Sequence, residues 1–99
     1  MAKQKEERIQ LVHPEGKNAP SISRATFELI RAGIMDAMQG KNGMTYTDIE
    51  NGVKDYIRKN GIDFEGSVGW FTISVKHHLE SEGIIRAYTE KGKKLHELA

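Results

Sequence analysis

Two groups of side chains in the last third of the sequence have types and spacings suited to binding a partner. One group lies in a segment predicted to be helical, and the other lies beside a predicted turn. The residues suited to contacts with double-stranded DNA are Thr72, Lys76, His77, Arg86, Lys91, Lys93 and Lys94. Basic side chains bind phosphate oxygens, while hydroxyl, amino and imidazole groups can hydrogen-bond to base edges. We therefore treat this set as the candidate DNA-binding surface.

An apolar surface shares the same predicted helix. On a helical wheel of about 100° per residue, one side holds a row with four-residue spacing, formed by Phe71, Val75 and Leu79. The nearly opposite side holds Trp70, Ile73 and His77. Three interpretations of this second side stay open: packing beneath an N-terminal arm, self-association into a homodimer, and direct contact with DNA.

The basic side chains are concentrated toward the C-terminal end. The whole chain has a formal net charge of +1, which does not by itself favour nucleic acid. Residues 61–83 carry one basic and four acidic side chains, whereas residues 84–99 carry four basic and two acidic ones. This local excess is suited to following a phosphate backbone, with Tyr88 beside it to stack or pack. Lysines at a hairpin turn are, however, usually a solvated strand edge that resists aggregation.

The sequence matches no catalytic or metal-binding motif that we recognise. It has no cysteine, no Gly-x-Ser-x-Gly turn and no phosphate-binding glycine loop. His77 and His78 point about 100° apart on a helix, and the i, i+4 pair of His78 and Glu82 lacks a third ligand. We therefore expect neither an enzyme nor a cofactor, a metal ion or a small-molecule substrate.

Hydrophobic periodicity predicts two helices in the first half of the domain. The first begins after Ser23 and ends at Gly40. Its buried stripe consists of Phe27, Ile30, Ile34, Ala37 and Met38. The second begins at a capping box over residues 47–50 and ends at residues 60–61. Its buried face consists of Ile49, Val53, Tyr56 and Ile57.

A third helix and a hairpin are predicted after these two. The helix runs from its cap at Ser67 to about Glu82, and Gly83 ends it. The hairpin has a strand over residues 84–88, a turn over 89–92 and a returning strand over 93–98. Residues 44–45 are predicted to form a very short strand between the first two helices.

A chain of 99 residues has the size of one domain. We expect an N-terminal arm over residues 1–20, with room for one strand, and a domain over residues 21–99. Lys3, Lys5 and Arg8 alternate with Glu6 and Glu7 in that arm, which predicts a solvated tail. We expect neither a signal peptide nor a membrane anchor, and the lack of cysteine fits the cytoplasm.

The predicted order of helix, short strand, helix, helix and hairpin resembles the winged helix-turn-helix topology. Residues 79–86 look like the end of a recognition helix that enters the wing in bacterial repressors. More narrowly, the segments Gly69-Trp70-Phe71, Leu79-Glu80 and Gly83-Ile84-Ile85, with Val75 between them, resemble a family of small uncharacterised bacterial winged-helix domains. The resemblance spans residues 21–99 and implies an α+β fold of three helices, a C-terminal hairpin wing and a short strand. That family has no assigned activity, so no functional residue is carried over.

Two functions follow as expectations. Most winged helices bind DNA, which favours a transcriptional regulator on the analogy of fold alone. The alternative is a protein-interaction module that forms a homodimer or binds another partner and does not bind DNA. Trp70 and Ile73, beside the acidic Glu80 and Glu82, favour this alternative. The two are compatible in a dimer, because winged-helix regulators commonly bind DNA as two-fold pairs.

Overall fold

The structure is a computed structural model that describes residues 7–99 of the chain. Its elements in chain order are β1 (Arg8–Gln10), β2 (Ser21–Ser23), α1 (Arg24–Met38), α2 (Tyr46–Lys59), α3 (Val68–Ser81), β3 (Ile85–Glu90) and β4 (Lys93–Leu98). Within residues 7–99, three helices are combined with two antiparallel pairs, β1 with β2 and β3 with β4. This is a small α+β fold. No helix in the described part of the chain is both long and apolar enough to cross a membrane.

The hydrophobic core lies between the three helices and is closed by the N-terminal segment and the C-terminal hairpin. Its buried apolar side chains are Leu11, Ile22, Ile30, Ile34, Met38, Met44, Ile49, Val53, Val75, Leu79 and Ile85. The predicted stripe of α1 is confirmed, since its last four members are buried and Phe27 packs at the edge of the core. Each buried aliphatic side chain contributes about 1.5–3 kcal/mol, so this cluster fixes the arrangement of the helices.

Serine hydroxyls begin two of the helices. The Ser23 oxygen accepts from the Thr26 backbone N–H, and the Ser67 oxygen accepts from that of Trp70, both at 3.1 Å. Both predicted N-caps are confirmed. Each one satisfies a backbone donor that a helix start would otherwise leave unpaired.

The second helix begins two residues earlier than predicted. Thr45 and Asp48 form its capping box, in which each side chain accepts from the other's backbone N–H at 3.1 Å. The box predicted over residues 47–50 is therefore wrong, because Thr47 is an exposed residue of the first helical turn. The sequence offers two overlapping threonine-to-acid frames, and the earlier frame is the one that forms.

The C-terminal hairpin is tighter than predicted. All six residues of β3 pair with the six residues of β4. Lys91 and Gly92 connect them with positive φ angles of 51° and 79°, as a two-residue turn requires. The turn predicted over residues 89–92 is too long, because Thr89 and Glu90 continue the pairing, and β3 begins at Ile85 and not at residue 84.

Met44 adds one further strand position beside β4. Its backbone N–H donates to the His96 carbonyl at 3.0 Å, and the His96 N–H donates to the Met44 carbonyl at 2.8 Å. The short strand predicted over residues 44–45 is confirmed at Met44 alone, since Thr45 caps α2. The strand positions therefore lie in the order Met44, β4, β3.

Residues 8–20 belong to the packed body of the protein. β1 pairs with β2, and Leu11 is 2% exposed within the core. The arm predicted over residues 1–20 has room for one strand, and β1 lies within it. The pairing of β1 with β2 has no periodic signal in the sequence. The predicted solvated tail lies partly outside the described residues, at Lys3, Lys5 and Glu6. We keep the name N-terminal arm for residues 7–20.

The packing of α1 on α2 depends on a glycine. A Cβ at Gly52 would lie 2.4 Å from the Ala37 Cβ, a separation that real Cβ atoms do not adopt. We expect Gly52→Ala to lower the free energy of unfolding by about 1–3 kcal/mol, because the methyl group overpacks this contact. Urea unfolding followed by circular dichroism measures the change.

Gly69→Ala is the matched control for this prediction. A Cβ at Gly69 would meet the flexible Glu50 carboxylate at 3.3 Å, which can move aside. Alanine also favours a helix by about 1 kcal/mol over glycine, so we expect no loss of stability. Equal free energies of unfolding for the two variants would contradict the packing argument.

Candidate binding surface on the third helix

The third helix is enclosed over most of its circumference. One side packs on α1 and α2, the N-terminal arm crosses its C-terminal half, and the β3–β4 hairpin covers a further side. Its buried side chains are Thr72, Val75, Lys76, His78 and Leu79. The predicted apolar row is confirmed at Val75 and Leu79, while Phe71 is partly buried. A narrow strip of α3 is left at the surface.

Lys76, Glu80 and His96 form a buried polar cluster where α3 meets β4. The Lys76 ammonium donates to the Glu80 carboxylate, and its Nζ lies 3.2 Å from His96 Nε2. His96 Nδ1 lies 2.9 Å from the carbonyl oxygen of Met44. Because a carbonyl oxygen only accepts, Nδ1 carries the proton and Nε2 accepts from Lys76. The cluster thus holds an ammonium, a carboxylate and a neutral imidazole.

Burial shifts the pKa of both bases in this cluster downward. Loss of water lowers the pKa of His96; the hydrogen bond to the Met44 carbonyl opposes that shift, and the Lys76 ammonium reinforces it. Burial likewise lowers the pKa of Lys76, and the Glu80 carboxylate opposes the change. Each member of the cluster has a partner and little contact with water. The cluster therefore holds the β3–β4 hairpin against α3.

Two residues of the candidate DNA-binding surface lie inside the protein. Thr72 is 0% exposed and Lys76 is 2% exposed, so neither can contact a DNA groove while α3 is packed in this way. Their assignment is therefore wrong. The helical wheel marked two apolar sides of α3, whereas contact with β4 also buries the side that carries Lys76. The Thr72 hydroxyl oxygen also lacks a hydrogen-bond partner among residues 7–99.

The N-terminal arm crosses α3 at two histidines. The Val12 backbone N–H donates to His78 Nδ1 at 3.0 Å, and the His13 ring lies 4.4 Å from the His77 ring, centroid to centroid. The other His78 nitrogen, Nε2, lies 3.6 Å from the Glu82 carboxylate. Burial, reinforced by the Lys76 ammonium, lowers the pKa of His77 to about 4. His77 is therefore neutral at neutral pH.

We call the remaining surface of α3 the exposed stripe, formed by Trp70, Ile73 and His77. Trp70 is 49% exposed and Ile73 is 38% exposed, while His77 is half-buried beneath His13. Val12, on the crossing segment of the arm, is also half-exposed. Packing beneath the arm thus accounts for His77 and leaves the two large apolar side chains open to solvent.

A groove runs along the arm side of Trp70. It has a volume of about 320 Å³ and is lined by Arg8, Ser21, Ile22, Ser23, Thr26, Trp70 and Phe71. The Trp70 ring stands edge-on to the Phe71 ring at 4.9 Å between centroids. This contact fixes the indole at the rim of the groove, where its other face meets solvent.

The basic residues of the hairpin differ in whether they are already bound to an acidic side chain. Lys91, Lys93 and Lys94 are exposed, and none of them forms a salt bridge within residues 7–99. Arg86 is engaged, because its guanidinium donates to the Glu97 carboxylate at 2.6 and 3.0 Å and lies 4.6 Å over the Tyr88 ring. The predicted phosphate-binding set of the hairpin is thus reduced to its three lysines.

Several residues around this surface were missed or misassigned by the sequence reasoning. Glu80 was assigned no structural role, and His96 was not singled out. The i, i+4 spacing of Lys76 and Glu80 is a signal for their ion pair. The two-residue alternation of β4 would have placed His96 on its inner face. No sequence signal indicates that Val12 lies at the surface, because its exposure depends on how the arm crosses α3.

Comparison with known proteins gives a family match over most of the chain. The chain belongs to the DUF6958 family. The family model, described as a family of unknown function, matches residues 8–95 and so includes β1 and the N-terminal arm. The resemblance inferred from sequence motifs began only at residue 21. Searches of curated proteins and of solved structures returned no match for this DUF6958 chain.

The neutral His77 makes stability depend on pH. An unfolded histidine has a pKa of about 6.5, so unfolding binds a proton between that value and the folded value of about 4. The free energy of unfolding is therefore expected to fall as pH is lowered through this window, and His96 adds to the fall with the same sign. Urea unfolding at a series of pH values measures the slope.

His77→Asn isolates the contribution of this residue. It should reduce proton uptake on unfolding at pH 5 by close to one proton, because asparagine does not titrate. Ser74→Asn places the same side chain on the same helix and should leave the slope unchanged. Identical slopes for the wild type and the His77 variant would show that His77 is protonated in the folded protein.

Proposed function

We propose that the protein is a non-catalytic binding module whose partner is another protein chain held at the exposed stripe. One observation carries the proposal: the large exposed side chains of α3, Trp70 and Ile73, are apolar. Its base-reading candidates Thr72 and Lys76 are buried. A helix that reads DNA needs polar side chains at its surface. A half-exposed tryptophan beside an isoleucine is instead typical of the centre of a protein interface.

The proposal includes a winged helix-turn-helix fold. It is supported by the order of helices and strands and by the sheet order of Met44, β4 and β3. In this arrangement α3 occupies the place of the recognition helix and the β3–β4 hairpin that of the wing. The lack of cysteine fits a module that works in the cytoplasm.

A catalytic role is left out of the proposal because of where the reactive groups lie. Lys76 and His96 are 2% and 1% exposed, so a substrate cannot reach them without displacing the hairpin. The exposed stripe itself carries no nucleophile and no carboxylate. Its half-buried histidine, with a pKa of about 4, is a weak base.

Duplex DNA is the second candidate partner, and the wing favours it. Lys91, Lys93 and Lys94 project from a tight hairpin with no carboxylate bound to them within residues 7–99. Lysines in such a position can contact successive phosphates without reading bases. Binding of this kind would be independent of sequence.

Site-specific cross-linking in the cell tests the main proposal. A photoreactive amino acid replaces Trp70 or, in a second variant, Ile73, and the same group at the exposed Lys41 serves as the control. We expect a heavier, protease-sensitive adduct from positions 70 and 73 and none from position 41. An adduct of twice the monomer mass would identify a homodimer as the protein partner. A nuclease-sensitive adduct, or none at all, would overturn the proposal.

A salt titration tests the second candidate. If the wing binds phosphates, affinity for mixed-sequence duplex DNA falls steeply between about 50 and 200 mM salt. Replacing Lys91, Lys93 and Lys94 together by glutamine should abolish that binding, whereas Lys54, Lys59 and Lys41 replaced in the same way should retain most of it. No binding at low salt would exclude the wing as a DNA contact.

A further inference from the structure

The exposed stripe has a defined length and two distinct ends. Trp70 and His77 are seven residues apart on α3, which corresponds to about 10 Å along the helix axis. Arg8 lines the groove beside Trp70 at one end. Lys94 lies toward the other end, because it is on the same face of β4 as His96, which contacts Lys76 next to His77. Its positive charge is also close enough to His77 to contribute to the lowered pKa of that residue.

The cation at the Trp70 end has no carboxylate partner in the described part of the chain. The Arg8 guanidinium donates to the Ser21 hydroxyl at 3.2 Å and to the Ser21 carbonyl at 2.6 Å, both neutral acceptors. Its neighbour Glu7 lies 3.6 Å from Arg24 and is engaged there. A carboxylate from outside would therefore meet a positive charge that no carboxylate among residues 7–99 compensates.

Lys94, the cation at the His77 end, likewise has no carboxylate partner in the described part of the chain. Glu15, whose carboxylate is close enough to interact with Lys94, is already paired, and so is Glu80 of the polar cluster. Glu15 lies 3.3 Å from Lys17, and Glu80 accepts from Lys76. The stripe is thus an apolar surface with a positive charge near each end.

This charge pattern argues against a second copy as the occupant. In a two-fold dimer with antiparallel helices, Arg8 of one copy would face Lys94 of the other. With parallel helices, each cation would face its own equivalent. Either arrangement sets like charges against each other, which opposes association. Phosphate could satisfy the two cations, yet it would leave Trp70 and Ile73 without an apolar contact.

We propose that the partner docks an acidic amphipathic helix on the exposed stripe, with apolar residues on Trp70 and Ile73 and carboxylates on Arg8 and Lys94. This inference rests on the proposed function and adds the chemistry of the partner. The two carboxylates lie about two helical turns apart on the partner, matching the length of the stripe. An apolar centre with ion pairs at its rim is the usual arrangement of a helix bound in a groove.

Two synthetic peptides of about 20 residues test the inference. Both carry the same leucine and alanine row and no tryptophan, and they differ only in glutamate or lysine at positions i and i+7 beside that row. Trp70 is the sole tryptophan of the chain, so its fluorescence reports binding at the stripe directly. We expect a blue shift with the acidic peptide and an affinity about tenfold or more above that of the basic peptide.

Charge reversal in the protein provides the second arm of the test. Arg8→Glu and Lys94→Glu should each weaken the acidic peptide, and the double variant should prefer the basic one. Lys41→Glu makes the same charge change away from the stripe and should retain the wild-type preference. The two reversals lie on different strands and circular dichroism checks their folding, so a folding defect in one variant leaves the other informative.

Several results would overturn the inference. They are equal binding of the two peptides, an unchanged preference in folded charge-reversed variants, the same blue shift with duplex DNA, and a blue shift that depends only on the protein's own concentration. If the acidic peptide fails while the cross-linker at position 70 captures a protein, the inference fails and the proposed function stands. If both fail, both are overturned.

Discussion

The side chain of His96 connects three parts of the chain that would otherwise be held together by apolar contacts alone. It lies in β4, its Nδ1–H donates to Met44 between α1 and α2, and its Nε2 faces Lys76 of α3. A buried ammonium is strongly destabilising without partners, so Lys76 requires both His96 and Glu80. The hairpin is thereby held against α3. The exposed stripe depends on this polar cluster, because burial of Lys76 and Glu80 leaves Trp70 and Ile73 as the large exposed side chains of α3.

The helices could be predicted from the sequence because their signals are local. Apolar spacing and the Ser23 and Ser67 caps depend on residues within one or two turns, and the structure agrees with them. The start of α2 could not be fixed, since two threonine-to-acid frames overlap and only packing selects between them. Burial of Lys76 could not be predicted either, because it depends on a strand that lies 20 residues further along the chain. The pairing of β1 with β2 could not be predicted for the same reason.

For the candidate surface, the analogy of fold and the chemistry of the side chains favour different partners. The sequence analysis favoured DNA on the analogy of winged helices, and it noted that Trp70 and Ile73 were unsuited to that role. Membership in DUF6958, a family of unknown function, adds no activity to either side. The structure adds the position of each group: large apolar side chains exposed on α3, Arg86 paired with Glu97, and Arg8 beside the groove at Trp70. The distribution of charge around an apolar surface therefore carries more weight than the order of helices.

The crossing of α3 by the N-terminal arm has a consequence for how this chain folds during synthesis. Val12 contacts His78, 66 residues later, and Met44 contacts His96, 52 residues later. Of the described segments the arm is the first to leave the ribosome, whereas its partner on α3 and the strand that completes the polar cluster follow more than 50 residues later. Contacts of such sequence separation form slowly. The core that contains Leu11 and Ile22 can therefore close only after α3 and the β3–β4 hairpin have been synthesised.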